Sequence, residues 1–519
     1  MHQDGLARAT RAVLALGLAL RCAIASRDLD TVDRLFVPDD TYYVLAIARS
    51  MADGLGPTAN GETLTNGFQP LIAFFLVPVL ALLDGTTAPL RALLYGLSAV
   101  DVAVAAVLGL LARRLAGPVA GLAATALWCA SPVAIDIALG GLETPLALLC
   151  LVGLTELWCR ARAAPSARNW TAVGLVAGLA LLARVDTVFL VGMLGAVELA
   201  GRNRWLPLVI GASVVVVAPW WGYSILTFGT PIPDSGQAAR AIALAYQRDL
   251  LTVPGTLSWA SMTLVGPPFA ELEFLRRFVY VLAPWLGPVL VGGGLLAAGG
   301  TARQIARTAA PADRAPLIAL VAHGALIVMF YALYVPVLWF FRRYLSPAML
   351  VEVLVIAVLV SRAAQGSRPL SAVLALCGLV GAGLSLSRLW IDPPLGPTSG
   401  LNGPTGYAAP TAELLAELPD GAVVAGLQSG ALSWLAPPGV TVHNLDGVVD
   451  AEASDAFVAG ELDRILVDRG VTHFLDWDLQ HRMLVERSVR PVTLHTVHQT
   501  SIEQQNHSQL RLSTVTVED

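Results

Sequence analysis

Apolar and polar positions along this chain fall into long alternating blocks. Mainly apolar runs recur near 9–26, 90–112, 116–136, 142–159, 169–184, 187–201, 205–226, 278–299, 316–338, 345–361 and 369–390. Segments of about 20 such residues cross the hydrocarbon core of a bilayer. The connecting loops alternate in charge: those holding Arg113 and Arg114, then Arg160, Arg162 and Arg168, then Arg202 and Arg204, then Arg303, Arg307 and Arg314, then Arg362 and Arg368, are separated by loops with few cations. An excess of basic residues marks the cytoplasmic side. The pattern predicts eleven spans, with the N-terminus inside and residues 391–519 outside.

The apolar run 68–84, "FQPLIAFFLVPVLALLD", does not fit as a further span, because crossing there would invert every later loop. It is short and carries Pro70 and Pro78, so a re-entrant or interfacial helix is expected. Residues 27–89 then form one long external loop. Within it Val44, Ile47, Ala48 and Met51 recur at helical spacing, while Arg49, Ser50 and Asp53 face elsewhere. That helix is expected to lie along the membrane surface. "NGETLTNG", residues 60–67, supplies two Asn-Gly turn signals, and Pro70 suits a first helical turn.

Past residue 391 hydropathy falls, and the Pro/Gly-rich stretch within 391–406 reads as a linker. "GAVVAGL", "VTVHNL" and "VTHFLDW" look like short strands separated by helical stretches such as "SDAFVAGELDRILVDRG". The expected fold class is a polytopic α-helical membrane protein of about 11 transmembrane helices over residues 1–390, with a C-terminal extracytoplasmic α/β domain over 407–519. No nucleotide-binding fingerprint and no tandem repeat accompany it.

Composition agrees: 55% hydrophobic residues, 14% charged and a mean hydropathy of +0.66 lie well outside the soluble range. A formal charge of −5 with scattered arginines provides no footprint for nucleic acid. The first 25 residues resemble a signal peptide, but Arg21 interrupts the apolar stretch and many spans follow, so an uncleaved first helix is expected. Cys22, Cys129, Cys150, Cys159 and Cys377 lie in or beside apolar runs without metal-ligand spacing and read as small core residues.

The chemistry-bearing candidates each have two readings. Asp39 and Asp40 follow Pro38 where carboxylates commonly cap a helix, but the second points about 100° around the helix from the first and needs another reason. Arg342 and Arg343 lie on the side that basic residues avoid, and either bind phosphate or snorkel to the surface. Arg184 binds phosphate or pairs with Asp186. Glu143 contacts a substrate or sits comfortably at a helix N-terminus. Asn66, Gly67 and Gln69 bind sugar hydroxyls or make a turn. Tyr42 and Tyr43 stack on a sugar or, the reading favoured here, anchor the loop in the headgroup region. Asp234, Gln237 and Arg240 of the later external loop are undecided, and His323 and His443 form no metal site.

"PDDTYYVLAIARSMADGLGPTANGETLTNGFQPL" resembles the first external loop of polytopic glycosyltransferases of the GT-C superfamily, including arabinofuranosyltransferase-like and aminoarabinose or mannosyl transferases. The likeness extends through "SPVAIDIALGGLETPLALL", "LLARVDTVFL", "FRRYLSPAML" and "LQSGALSWLAPPGVTVHNLDGVVD". It implies an inverting transferase that takes a sugar from a polyprenyl-phosphate donor on the outer face of a bacterial plasma membrane. The acceptor would be an envelope glycan, a lipid or a protein. By the same resemblance Asp40 is the base that deprotonates the acceptor hydroxyl, with Asp39 orienting it or sharing an optional divalent cation with it. Arg342, Arg343 and Arg184 would hold the departing phosphate, and Glu143, Tyr43, Asn66 and Gln69 would meet substrate. The rival reading is a transporter or flippase of lipid-linked sugars, which leaves the long first loop unexplained and lacks the expected inverted repeats. An inert glycan-binding scaffold is a third.

Overall fold

The computed structural model describes residues 3–246, 252–265, 273–366, 406–500 and 509–518. Helices stand at every predicted span within them: Gln3–Ala25, Thr87–Ala116, Pro118–Ala130 with Pro132–Leu139, Thr144–Ala163, Ala167–Ala183, Val188–Ala200, Leu206–Phe228, Glu273–Thr308, Pro311–Leu333 and Ser346–Gly366. The predicted span 369–390 lies outside the described residues, as does almost all of the 391–406 linker. Among the described residues five helices are singly long and apolar enough to cross a membrane, or seven if each bent pair is one span. One such pair bends by 58° between Ala130 and Pro132, where Ser131 caps the second helix through the Ala134 amide. Ala167–Ala183 and Val188–Ala200, at 17 and 13 residues, fall short of a full crossing by length alone.

Charge is managed inside the bundle by pairing. Arg21, fully buried, donates to Asp101 on Thr87–Ala116 and to the carbonyl oxygens of Gly17 and Cys129, while the Trp128 indole donates to the other Asp101 oxygen. This is why an arginine is tolerated in the first apolar run. At one end of the bundle Arg114 and Arg160 meet Glu156, Arg114 also reaches Asp313, and Arg162 meets Glu198. The arginine-rich loops thus gather at that end.

The run 68–84 forms only an 11-residue helix, Pro70–Leu80. At 1.5 Å per residue it spans about 16 Å, roughly half the hydrocarbon thickness. It packs beside the Asp39–Ala52 helix, whose Tyr42, Tyr43, Leu45, Ile47 and Ala48 are buried. That second helix was expected to float on the membrane surface. Instead Ser50 is also buried, and the helix is clasped between Pro70–Leu80 and the Gly430–Leu435 helix of the C-terminal region. One apolar cluster runs from Tyr42, Leu45 and Ile72 to Ala431, Trp434 and Val449. An amphipathic stripe states that one face is buried but not what buries it.

The C-terminal region is a five-stranded sheet in the order β2-β1-β3-β5-β4, formed by β1 (Val423–Gly426), β2 (Thr441–Asn444), β3 (His473–Trp477), β4 (Val492–Gln499) and β5 (Leu510–Val517). The three strands expected from sequence pair in parallel, and the last two add an antiparallel hairpin. The helical stretch expected over "SDAFVAGELDRILVDRG" forms two helices, Ala451–Ala459 and Leu462–Asp468, because Gly460 takes a left-handed conformation at φ 77° and ends the first. Ile242, from the Ser235–Tyr246 helix, joins the core of this unit with Phe457, Phe474 and Leu484.

Candidate active site

Asp40 enters the first turn of the Asp39–Ala52 helix half-buried, and its Oδ2 accepts from Arg343 Nη1 at 3.1 Å. The two residues are 303 positions apart in sequence. Arg343 belongs to a single helical turn, Phe341–Tyr344, and its guanidinium lies over the rings of Phe340 and Tyr344 and donates to the Tyr344 hydroxyl at 3.1 Å. Its Nε is buried without a hydrogen-bond partner. A planar cation held against two neighbouring rings keeps its charge, and its Nε is a donor left unused.

Behind this pair stands a second cation. Arg184, which ends the Ala167–Ala183 helix in an extended conformation, donates to Asp186 through Nε at 3.3 Å and Nη2 at 2.6 Å, and to the Tyr331 hydroxyl at 3.0 Å. Its Nη1 lies 3.8 Å from Glu143 and 3.4 Å from the carbonyl oxygen of Arg343. Tyr331 donates to Asp186 and stacks on Tyr344 with ring centroids 4.5 Å apart. The turn that aims Arg343 is therefore braced from below. Burial pushes the Asp40 pKa above its usual value, the Arg343 cation pulls it back, and the Glu143 charge adds to the rise.

The remaining sequence candidates are placed elsewhere. Arg342 turns aside to Asp136 Oδ2 at 3.3 Å, on the Pro132–Leu139 helix. Asp39 does not face Asp40. Both of its oxygens accept backbone amides, from Gly430 and Ala431, at 2.8 Å each. Neither aspartate caps its own helix, whose N-cap is Pro38 without a side-chain bond. Asp39 instead satisfies the open amides that start the Gly430–Leu435 helix. Burial pushes its pKa up to about 7, with the two amides opposing the rise. Each Asp39 oxygen is thus occupied by one amide, while Asp40 meets Arg343. Among the described residues no three His, Cys, Asp or Glu side chains converge to hold a metal, and no chemical step is assigned to one.

Tyr43, expected in the headgroup region or against a sugar, points into the C-terminal unit. Its hydroxyl accepts from the Ser429 amide and from Asn444 Nδ2, both at 2.8 Å. Tyr42 donates to Asp33. Asn66 is buried, donates to Ser224 and the Ile232 carbonyl oxygen and accepts from the Asp234 amide, which ties the segment before Pro70 to the one after Phe228. Gln69 precedes the Pro70–Leu80 helix with its Oε1 buried and without a hydrogen-bond partner. Arg240 donates to the Tyr334 carbonyl oxygen.

Sequence reasoning passed over Asp136, Tyr331, Tyr344 and Asp446. Asp136 carried a readable signal, a carboxylate within an apolar helix. Asp446 is half-buried and accepts from the Val448 amide, and burial, with a smaller contribution from the charges of Asp40 and Asp39, pushes its pKa up to about 7.

No family model matches the chain, and no curated protein does. Solved structures do. The oligosaccharyltransferase of Archaeoglobus fulgidus in its apo form superposes with a TM-score of 0.51 at 12% identity, over 92% of this chain and 71% of that one. The same enzyme tethered to an acceptor peptide containing the NVT sequon gives 0.50 at 13% identity, over 94% and 73%. The chain shares the fold of that archaeal enzyme. ArnT from Cupriavidus metallidurans bound to undecaprenyl phosphate matches over 97% of both chains at 16% identity, with a TM-score of 0.48. At such identities the likeness is one of fold, and the residues of the site rest on their own geometry.

Proposed function

We propose that the chain is an inverting glycosyltransferase that uses a polyprenyl-phosphate-linked sugar as donor, with Asp40 as general base and Arg343 as the phosphate-binding cation. The observation that carries this reading is the Asp40–Arg343 pair itself. It joins a carboxylate of the first external loop to an arginine 303 positions away in sequence that lies over the Phe340 ring, in a largely buried site next to Arg184 and Glu143.

In the resting site each member holds the other. A donor phosphate competes for Arg343, since guanidinium and phosphate match in charge and in donor geometry. As Arg343 turns to the phosphate, Asp40 loses the cation that lowered its pKa and becomes a stronger base. The acceptor hydroxyl gives its proton to Asp40 while its oxygen forms a bond to the anomeric carbon. The bond from that carbon to the phosphate oxygen breaks, and its electron pair leaves on the phosphate, which Arg343 stabilises. Polyprenyl phosphate departs as an anion and needs no acid. One displacement with one base inverts the anomeric centre.

Arg184 positions Arg343 by holding its carbonyl oxygen and lends positive charge beneath the site. Eleven spans, the orientation with the C-terminal unit outside, and a glycan, lipid or protein acceptor belong to the same reading. The test offers purified protein a panel of polyprenyl-phosphate pentoses and hexoses and follows release of polyprenyl phosphate. Wild type is expected to release it with at least one donor, and Asp40→Asn to lose about 10²–10⁴ in rate. If no donor is consumed while lipid-linked sugar still crosses liposomes containing the protein, the transferase reading fails.

A further inference from the structure

The C-terminal unit does more than sit above the site. Its contacts converge on the first two turns of the helix that carries Asp40. Asp39, one residue before it, is gripped by two amides, and Tyr43, one turn after it, by an amide and the Asn444 side chain. Further along, the Arg49 guanidinium lies 3.5 Å from the Trp434 ring centre. The flanking loop is fastened to the same edge: Asn60 donates to the Val442 carbonyl oxygen at 2.9 Å, and Gly67 lies so close to the Val448 carbonyl that a Cβ would overlap it. Gly430 has the same character, since a Cβ there would overlap the Asp39 carbonyl.

A helix is rigid over one turn, so fixing Asp39 and Tyr43 fixes the direction in which Asp40 projects, about 100° from Asp39. A misplacement of about 1 Å in a catalytic group costs on the order of 10² in rate. We propose that the edge formed by residues 427–448 is a positioning element of the active site, which by gripping Asp39 and Tyr43 aims Asp40 at Arg343 and at the acceptor hydroxyl. This rests on the transferase reading above. It makes Asp39 a positioning residue rather than a catalytic one.

The test uses the full chain in lipid nanodiscs with Gly430→Ala, which pushes a methyl against the Asp39 carbonyl, and Tyr43→Phe, which removes the accepting hydroxyl. Hydrogen exchange is followed in residues 40–46 and, separately, in the sheet strands, and turnover is measured with varied donor. The expected result is faster exchange in 40–46 with the sheet unchanged, kcat lower by about tenfold to a hundredfold, and donor KM within about twofold because Arg343 and Arg184 are untouched. Loosened exchange in 40–46 with kcat within about twofold of wild type overturns the proposal, as does unchanged exchange in both variants. Should wild type consume no donor, the transferase reading fails on its own, and exchange still decides whether the edge grips the helix.

Discussion

Replacing Arg343 by glutamine keeps a planar donor but removes the charge that lies 3.1 Å from Asp40. Two influences oppose each other at Asp40 in the resting site: burial raises its pKa and the guanidinium lowers it. An opposite charge at such range lowers a carboxylate pKa by about 1–3 units. The side chains are 16% and 27% exposed, so solvent screens part of this effect without removing it. A general base works only when ionised, so kcat/KM falls as pH drops through the Asp40 pKa of the free enzyme. Losing Arg343 raises that pKa. The acid limb of the profile therefore moves to higher pH in Arg343→Gln, while Arg343→Lys, which keeps the charge, leaves it nearly in place. The assay is polyprenyl phosphate release at subsaturating donor from about pH 4 to 9. A general loss of rate from weakened phosphate binding lowers the whole profile without moving its limb, so the two effects separate. A limb that stays fixed in Arg343→Gln, or moves downward, refutes either the assignment of Asp40 as base or its pairing in the free enzyme.

Two further outcomes concern stability. The Asp39 pKa is raised to about 7 in the folded chain, so the folded state binds more protons there than the unfolded state between about pH 4 and 7. Its contribution is then fully present below about pH 4 and is lost as pH rises through about 7, by at most about 1.4 kcal/mol per pH unit. Protection of residues 40–46 against hydrogen exchange should fall across that window in wild type and lose this slope in Asp39→Asn; a parallel slope in both would exclude Asp39 as its source. Within the bundle, Asp101→Ala leaves the Arg21 charge unpaired at 0% exposure and should cost about 3–5 kcal/mol in mixed-micelle unfolding. The double variant Arg21→Met, Asp101→Leu should recover most of it, and equal losses in single and double variants would contradict the pairing.

Much of the bundle was legible because its signal is local. Apolar run length and arginine bias require no knowledge of which helix touches which, and ten predicted spans meet a helix in the described residues. Pro78 and the short length of 68–84 likewise announce a short helix, and it is 11 residues long. The β4–β5 hairpin was missed although "VTLHTVHQ" and "LRLSTVTV" alternate β-branched and polar residues; β4 is largely exposed, so its apolar content is low. At the site, the residue types were readable but the pairings were not. "DD" and "RR" each offered two equivalent partners, and only the packing of three distant segments decided that Asp40 meets Arg343 while Asp39 and Arg342 face away from that pair. Tyr43 shows the same limit. An aromatic beside a membrane surface suits the headgroup layer, and nothing in the local pattern distinguishes lipid from a protein edge as what covers it.

The two adjacent carboxylates now have separate explanations, and the angular argument that made the second one puzzling supplies both. Side chains one residue apart on a helix diverge by about 100°, so a helix lying in a seam between two bodies can serve each with one of them. Asp39 faces the C-terminal unit, where it replaces water at two amides that open the Gly430–Leu435 helix. Asp40 faces the bundle, where an arginine meets it. Adjacency is then the shortest connection between a grip and the group whose aim the grip sets. A carboxylate fastened by two amides and followed at once by one held by a single movable cation is arranged for stiffness in the first and release in the second. The asymmetry of their partners, more than the identity of either residue, separates the anchor from the base.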